Sequence, residues 1–235
     1  MGGTVSGPEP VGLLEGLRTT PARRYLAATP IPDEVLWELL DTAIRGPSGG
    51  NRQTWGWLVV TDPAVKARIA EHYQQGWEKI YGVRREELLD PDRDDAATGL
   101  TPASFRAADH LAGHLAEAPV FVVPVLRHAA DSTDKRLGGS IYGAVQQLLL
   151  AARAHSIGGV LTSLHLITGE REIDELLGLP EDAATMGLVP LGYPARGRLV
   201  DAATPARRAG RALGAVGRDA RAPLTAARPS AESPP

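Results

Sequence analysis

The feature that most constrains this chain is an apolar stripe. Ile141, Ala144, Val145, Leu148, Leu149 and Ala152 recur at three- and four-residue intervals. This spacing puts their side chains on one face of a long helix, and that face needs a cover. The runs of strand character available to cover it are short: WLVVT at 57–61, PVFVVPVL at 119–126 and ATMGLVPLGYP at 184–194. A small sheet does not hide such a stripe alone, so a second copy of the chain is expected to share the task. Ser140 is the expected cap of the long helix.

Other segments alternate around it. PIPDEVLWELLDTAI predicts a helix with Asp33 and Glu34 in its first turn, ending at Gly46-Pro47, and Asp62-Pro63 opens another with an acceptor cap. GGVLTSL reads as a loop running into a strand, and Thr168 to Leu177 as a short helix closed by Gly178. Pro124 cannot donate to a ladder, so its strand is expected at an edge or at a bulge. No strand runs into a G-x-G-x-x-G turn and no period repeats, which predicts an α+β layered fold rather than a doubly wound one.

Composition narrows the chemistry. The 235 residues include no cysteine, which excludes disulfide scaffolds, thiolate metal sites and cysteine nucleophiles. No apolar run is long enough to span a bilayer, and MGGTVSGPEP lacks the regions of a secretory signal, so the expectation is a cytoplasmic protein with no membrane partner. The net charge of −3 is uneven, because residues 196–235 carry eight arginines against three acids. That tail lacks the aromatic residues that stack on bases, and no nucleic-acid partner is expected. The acidic run Glu86 to Asp95 marks an exposed excursion over about 82–110. The expected organisation is a flexible segment at 1–17, one domain at 18–200, and a basic extension at 201–235 that is partly disordered or wraps a partner subunit.

Two stretches carry the candidate chemistry. Arg45-Gly-Pro-Ser-Gly-Gly-Asn-Arg-Gln53 joins a helix to a strand, and its Pro47, Gly49 and Gly50 let the backbone turn sharply under a flat ligand. Ser48, Asn51 and Gln53 offer hydrogen bonds without net charge. In Arg18-Thr-Thr-Pro-Ala-Arg-Arg-Tyr25, Arg23 and Arg24 suit a phosphate, since a guanidinium pairs with two phosphate oxygens at once. Taken singly, each stretch also reads as an ordinary polar or basic turn.

In order and spacing, these stretches with Pro30-Ile-Pro-Asp-Glu-Val-Leu and Trp57-Leu-Val-Val-Thr-Asp resemble the N-terminal half of the nitroreductase family of flavoproteins. The resemblance continues through Ala118-Pro-Val-Phe-Val-Val, Gly139-Ser-Ile-Tyr-Gly-Ala-Val-Gln-Gln, Ile157-Gly-Gly-Val-Leu-Thr, Leu176-Leu-Gly-Leu-Pro and Leu191-Gly-Tyr-Pro. It covers about Arg18 to Pro194.

The resemblance implies a homodimeric three-layer α+β fold, a mostly antiparallel central sheet flanked by helices, with FMN in two pockets at the subunit interface. It places the FMN phosphate on Arg24, with Pro21 where a second arginine often stands. It puts Ser48 and Asn51 against the flavin, Gln53 near the partner's flavin, and the backbone of Gly158 and Gly159 opposite the redox-active nitrogen. Arg207 and Arg208, with Arg198 behind them, are candidates for a further phosphate contact. Gly46 and Thr54 depart from a usual Ala and Pro.

The implied reaction is ping-pong reduction of a small nitroaromatic or quinone-type acceptor by NADH or NADPH through FMN, with no obligatory acid or base. The alternatives are an FMN-dependent oxidase or dehydrogenase of a natural-product pathway, and a flavin-binding protein without turnover. Trp77, Tyr142 and His165 are candidate substrate contacts, Trp77 because an aromatic in the excursion would lack a core to join. His110 and His114 stand four apart without a third ligand, so a solvated helix face is expected and no metal site.

Overall fold

The computed structural model describes residues 11–92, 101–127 and 137–195. The helices are α1 (Leu13–Thr19), α2 (Asp33–Ala43), α3 (Pro63–Ile80), α4 (Arg85–Leu89), α5 (Pro102–His114), α6 (Leu137–Ala154) and α7 (Leu166–Leu176). The strands are β1 (Trp55–Val60), β2 (Val120–Arg127), β3 (Gly158–Gly159), β4 (Ala183–Thr185) and β5 (Val189–Gly192). All pairings are antiparallel, in the order β1-β2-β5-β3, with β4 also on β2.

Strand β2 organises the layers because it is buried from Val120 to Leu126. Its side chains alternate across the sheet. Phe121, Val123 and Val125 join one core with Ile69 and Tyr73 of α3 and Phe105 of α5. Val120 and Val122 join the other core with Leu36 and Leu39 of α2 and Val145 and Leu148 of α6. The predicted stripe thus finds its cover in α2 and the sheet, and the fold is the expected three-layer α+β architecture. Lys66 on α3 seats β2 by donating from its buried Nζ to the Ala118 carbonyl at 2.7 Å.

Pro124 occupies a bulge. Val122 pairs with Val189 on β5, yet Val125 pairs with Thr185 on β4, which leaves one extra residue between the two partner strands. The Pro124 carbonyl accepts from Met186 N at 2.8 Å on that side, so its missing N–H falls where the ladder is already interrupted. The Asp62 carboxylate caps α3 as expected, accepting from Ala64 N and Val65 N at 2.8 and 2.9 Å.

Two local expectations are corrected. Ser140 does not cap α6, which begins at Leu137; its hydroxyl instead accepts from Gly49 N at 3.1 Å. The stretch at 82–110 is not wholly an exposed excursion, because Leu88 and Phe105 are fully buried, α5 packs on α3, and α4 packs on α5. On α4 the acids Glu86 and Glu87 are exposed, while Leu88 turns inward. Helix α1 packs on α6 through Gly16, but Leu13, Leu14 and Leu17 stay exposed.

Candidate functional site

The segment around Arg24 is laid along the end of the sheet by backbone hydrogen bonds. Arg23 N donates to the Gly159 carbonyl at 2.9 Å, Ala27 N to Tyr193 O at 2.8 Å, and Ala195 N to Tyr25 O at 3.0 Å. Gly159 is needed at this junction, since a Cβ there would lie 2.8 Å from the Pro190 carbonyl and 2.7 Å from a Leu191 methyl. Two sequence motifs far apart in the chain, the paired arginines and the Gly-Gly turn, are thereby made neighbours.

Arg24 lines a cavity of about 300 Å3 whose other walls include Tyr73, Trp77, Tyr81, Phe105 and Thr162. The guanidinium is half-buried, and burial pushes its pKa below the ordinary arginine value. No carboxylate among the described residues pairs with it. A desolvated cation without a counter-ion is costly, and an anionic ligand would remove that cost. The aromatic walls suit a flat ring.

Trp77 lines this cavity as core. It belongs to α3, is 3% exposed, and lies 5.4 Å from Phe105 between ring centroids, which corrects the expectation that it had no core to join. Its indole Nε1 donates to Asp109 at 2.9 Å, and Arg85 holds the same carboxylate at 2.8 Å. Tyr73 and Thr162 were not singled out from sequence. Thr162 Oγ1 donates to the Tyr73 hydroxyl at 3.1 Å. The signal available was the helical spacing of Ile69, Tyr73 and Trp77, which predicts one aromatic face on α3.

The Gly-rich loop is built at the opposite edge of the sheet, where it leads into β1. Ser48 O accepts from Asn51 N at 2.9 Å and Ser48 Oγ from Gln53 N at 3.1 Å, while Gln53 Nε2 donates to Asn51 Oδ1 at 2.8 Å. Gly50, Asn51 and Gln53 have φ of 62°, 53° and 48°. Gln rarely adopts this left-handed region, and backbone held there collects at ligand sites. Pro47, Gly49, Asn51 and Gln53 are exposed. The chain therefore brings Ser48, Asn51 and Gln53 together, and brings Arg23, Arg24, Gly158 and Gly159 together, but places the two groups at different sheet edges.

Of the remaining candidates, Tyr142 is exposed and donates to Met186 O at 3.3 Å. His165 is fully buried, against the expectation that it faces a ligand, and both its ring nitrogens lack a hydrogen-bond partner. Burial, reinforced by the neighbouring His72, lowers its pKa to about 4. His110 stacks between Tyr25 and His114, at centroid distances of 4.3 and 4.1 Å. Arg198, Arg207 and Arg208 lie outside the described residues. No described helix is long and apolar enough to cross a membrane.

Known proteins resemble this chain in sequence and in fold. The model of the nitroreductase family matches residues 18–193. A Thermus thermophilus protein named NADH dehydrogenase is 30% identical over 187 residues, covering 76% of this chain and 84% of the relative. An iodotyrosine deiodinase from Haliscomenobacter hydrossis is 28% identical over 175 residues, covering 72% and 73%. Among solved structures, a nitroreductase with bound FMN from Desulfitobacterium hafniense shares the fold with a TM-score of 0.64 at 19% identity, covering 87% of this chain and 97% of its own.

Proposed function

The chain belongs to the nitroreductase family, and we propose that it is an FMN-dependent oxidoreductase that carries electrons from NADH or NADPH to a small organic acceptor of nitroaromatic or quinone type. The observation that carries this reading is the half-buried Arg24 cation, without a counter-ion among the described residues, set in an aromatic cavity beside the Gly-Gly turn. The donor set fits a flavin nucleotide: a cation for its phosphate, uncharged hydrogen-bonding groups for its ring and ribityl chain, and a close-approach backbone at Gly158 and Gly159. When bound, FMN supplies hydride transfer, and the protein supplies placement and electrostatics.

Arg24 would neutralise the phosphate, while Ser48, Asn51 and Gln53 would hydrogen-bond the uncharged parts. Because these groups stand at different edges of one sheet, the complete site is composite, and the active species is a homodimer in which each loop serves the partner's Arg24 cavity. The exposed Leu13, Leu14 and Leu17 of α1 and Trp37 of α2 support such an interface.

Two measurements test the reading. Rapid mixing of the FMN-loaded protein with NADH or NADPH should bleach the flavin, and a nitroaromatic, a quinone or a halogenated phenol should restore its colour; the halophenol arm addresses the deiodinase relatives. Bleaching by an organic substrate but by neither nucleotide would instead indicate the oxidase direction. Light scattering of the loaded protein should give a dimer, and flavin retained on a 24.8 kDa species would refute the composite site.

A further inference from the structure

We propose that Ser140 of α6 is a positioning residue for the flavin: by accepting from Gly49 N, it holds residues 48–53 in the conformation that presents Asn51 and Gln53 to the cofactor. This rests on the function proposed above. Gly50, Asn51 and Gln53 all stand in the left-handed region, two of them without glycine's freedom. Such backbone persists only where its surroundings over-determine it. The braces inside the loop run from Asn51 N to Ser48 O at 2.9 Å, from Gln53 N to Ser48 Oγ at 3.1 Å, and from Gln53 Nε2 to Asn51 Oδ1 at 2.8 Å. They fix the turn's shape but not its place on the body. Among the described residues, the hydrogen bond that ties this turn to another element is Gly49 N to Ser140 Oγ, 3.1 Å long and spanning 91 residues. Its direction is fixed, since a backbone N–H can only donate.

A second contact lays the loop along the same helix. Gln147 follows Ser140 by seven residues, two helical turns, and so faces the same side of α6. Its side chain lies against Gly46, where a Cβ would come within 3.0 Å of Nε2 and 3.2 Å of Cδ. Helix α6 therefore meets the loop at its start through Gln147 and at its turn through Ser140. Both anchors are half-buried, whereas Gly49, Asn51 and Gln53 are exposed. The loop is thus fastened on the side of the body, and its amide groups are left on the open side. A turn fixed before the ligand arrives lowers the ordering cost of binding, and Ser140 acts on the flavin by that route. Asn51 and Gln53 serve the uncharged parts of the cofactor, while Arg24, at the other sheet edge, serves the phosphate. Loosening the loop should therefore weaken FMN and riboflavin by the same factor, because riboflavin lacks only the phosphate.

Flavin titrations of the apoprotein, with the spectrum and reduction potential of the loaded protein, test this. Ser140→Ala is expected to weaken FMN and riboflavin equally, by about 2- to 12-fold, the worth of one neutral hydrogen bond. It should also shift the visible absorption and the potential of bound FMN in the direction that Asn51→Ala shifts them. Ser140→Thr keeps the hydroxyl and should restore all three. In the double variant of Ser140→Ala with Asn51→Ala, the loss should be smaller than the product of the single losses, because both act through one loop; losses that multiply would overturn the proposal. A lower apo melting temperature with native affinity, spectrum and potential would make Ser140 a structural residue and overturn it as well. Should Ser140→Ala fail to fold, Ser140→Cys decides, since a thiol of nearly the same shape is a weak acceptor; native flavin affinity and spectrum in that variant would refute the assignment. If the native protein takes up neither flavin, the proposed function falls and this assignment with it. If native FMN binds and is reduced by a nucleotide while Ser140→Ala matches it throughout, only the assignment falls.

Discussion

Acid should destabilise this protein through His165, and replacing that residue should remove much of the effect. The imidazole is completely buried with neither nitrogen hydrogen-bonded, and its pKa falls from 6.5 to about 4. Burial is the larger cause and His72 adds to it; His72 is in turn within 3.1 Å of Glu172 on α7. The folded state thus holds His165 neutral where the unfolded chain would protonate it. Stability from this group is complete above the unfolded pKa and drains away as pH falls toward the folded one. At about 1.4 kcal/mol per pH unit, the loss between 6.5 and about 4 is roughly 3 kcal/mol. That is a large part of the roughly 5–15 kcal/mol that holds a domain together. His165→Leu keeps an apolar body and cannot bind a proton. Urea denaturation of both proteins across this pH range should show the variant gaining on the native chain by about 3 kcal/mol as acid is added. Carboxylates titrate in both proteins and cancel in the difference. A difference that stays constant with pH would show that His165 reaches water or a partner in solution, and the argument would be wrong.

Three other substitutions probe the site. Arg24→Ala should weaken FMN by about 10- to 150-fold, the worth of one charge-assisted contact of roughly 1.5–3 kcal/mol, and leave riboflavin nearly unaffected; equal losses in parallel titrations would assign Arg24 to folding or to the ring. Asn51→Ala should cost about 1–3 kcal/mol of FMN affinity and shift the flavin's reduction potential, whereas unaltered affinity with a lower apo melting temperature would reduce Asn51 to a loop-builder. Gly76→Ala should destabilise the protein by at least about 2 kcal/mol, because the new methyl would meet the backbone carbonyl of Leu164 at the cavity wall and neither helix nor turn can yield; a melt indistinguishable from native would show that this wall is pliable.

Helix faces and buried strands were legible because burial follows local period. Asp62 before Pro63 announced its cap, and Pro124 announced an interruption that proved to be the one-residue offset between β4 and β5. Legibility failed where a distant partner decided the outcome. Ser140 had the chemistry of a cap, yet its hydroxyl serves Gly49 from inside the first turn of α6. Leu88 and Phe105 were masked by the charges around them, and only α3 packing reveals their inward face. In the site, Arg24 could be chosen from sequence, but not that no acid among the described residues stands beside it, which depends on the whole fold. Tyr73 looked like one more aromatic on a helix, since its link to Thr162 spans 89 residues.

The backbone ties that hold Tyr25 and Ala27 to Tyr193 and Ala195 join the first ordered stretch after α1 to the last described residues. Contacts so remote in sequence close late, after the intervening sheet has assembled. On a ribosome, the strip bearing Arg24 emerges early and waits for residues near 195 before it can dock. Docking of that strip therefore waits until the chain has been made as far as Ala195, after its hydrophobic layers have begun to form. A truncation before Tyr193 would leave much of the core sequence in place and keep Gly159 as a partner for Arg23, but it would remove the partners of Tyr25 and Ala27.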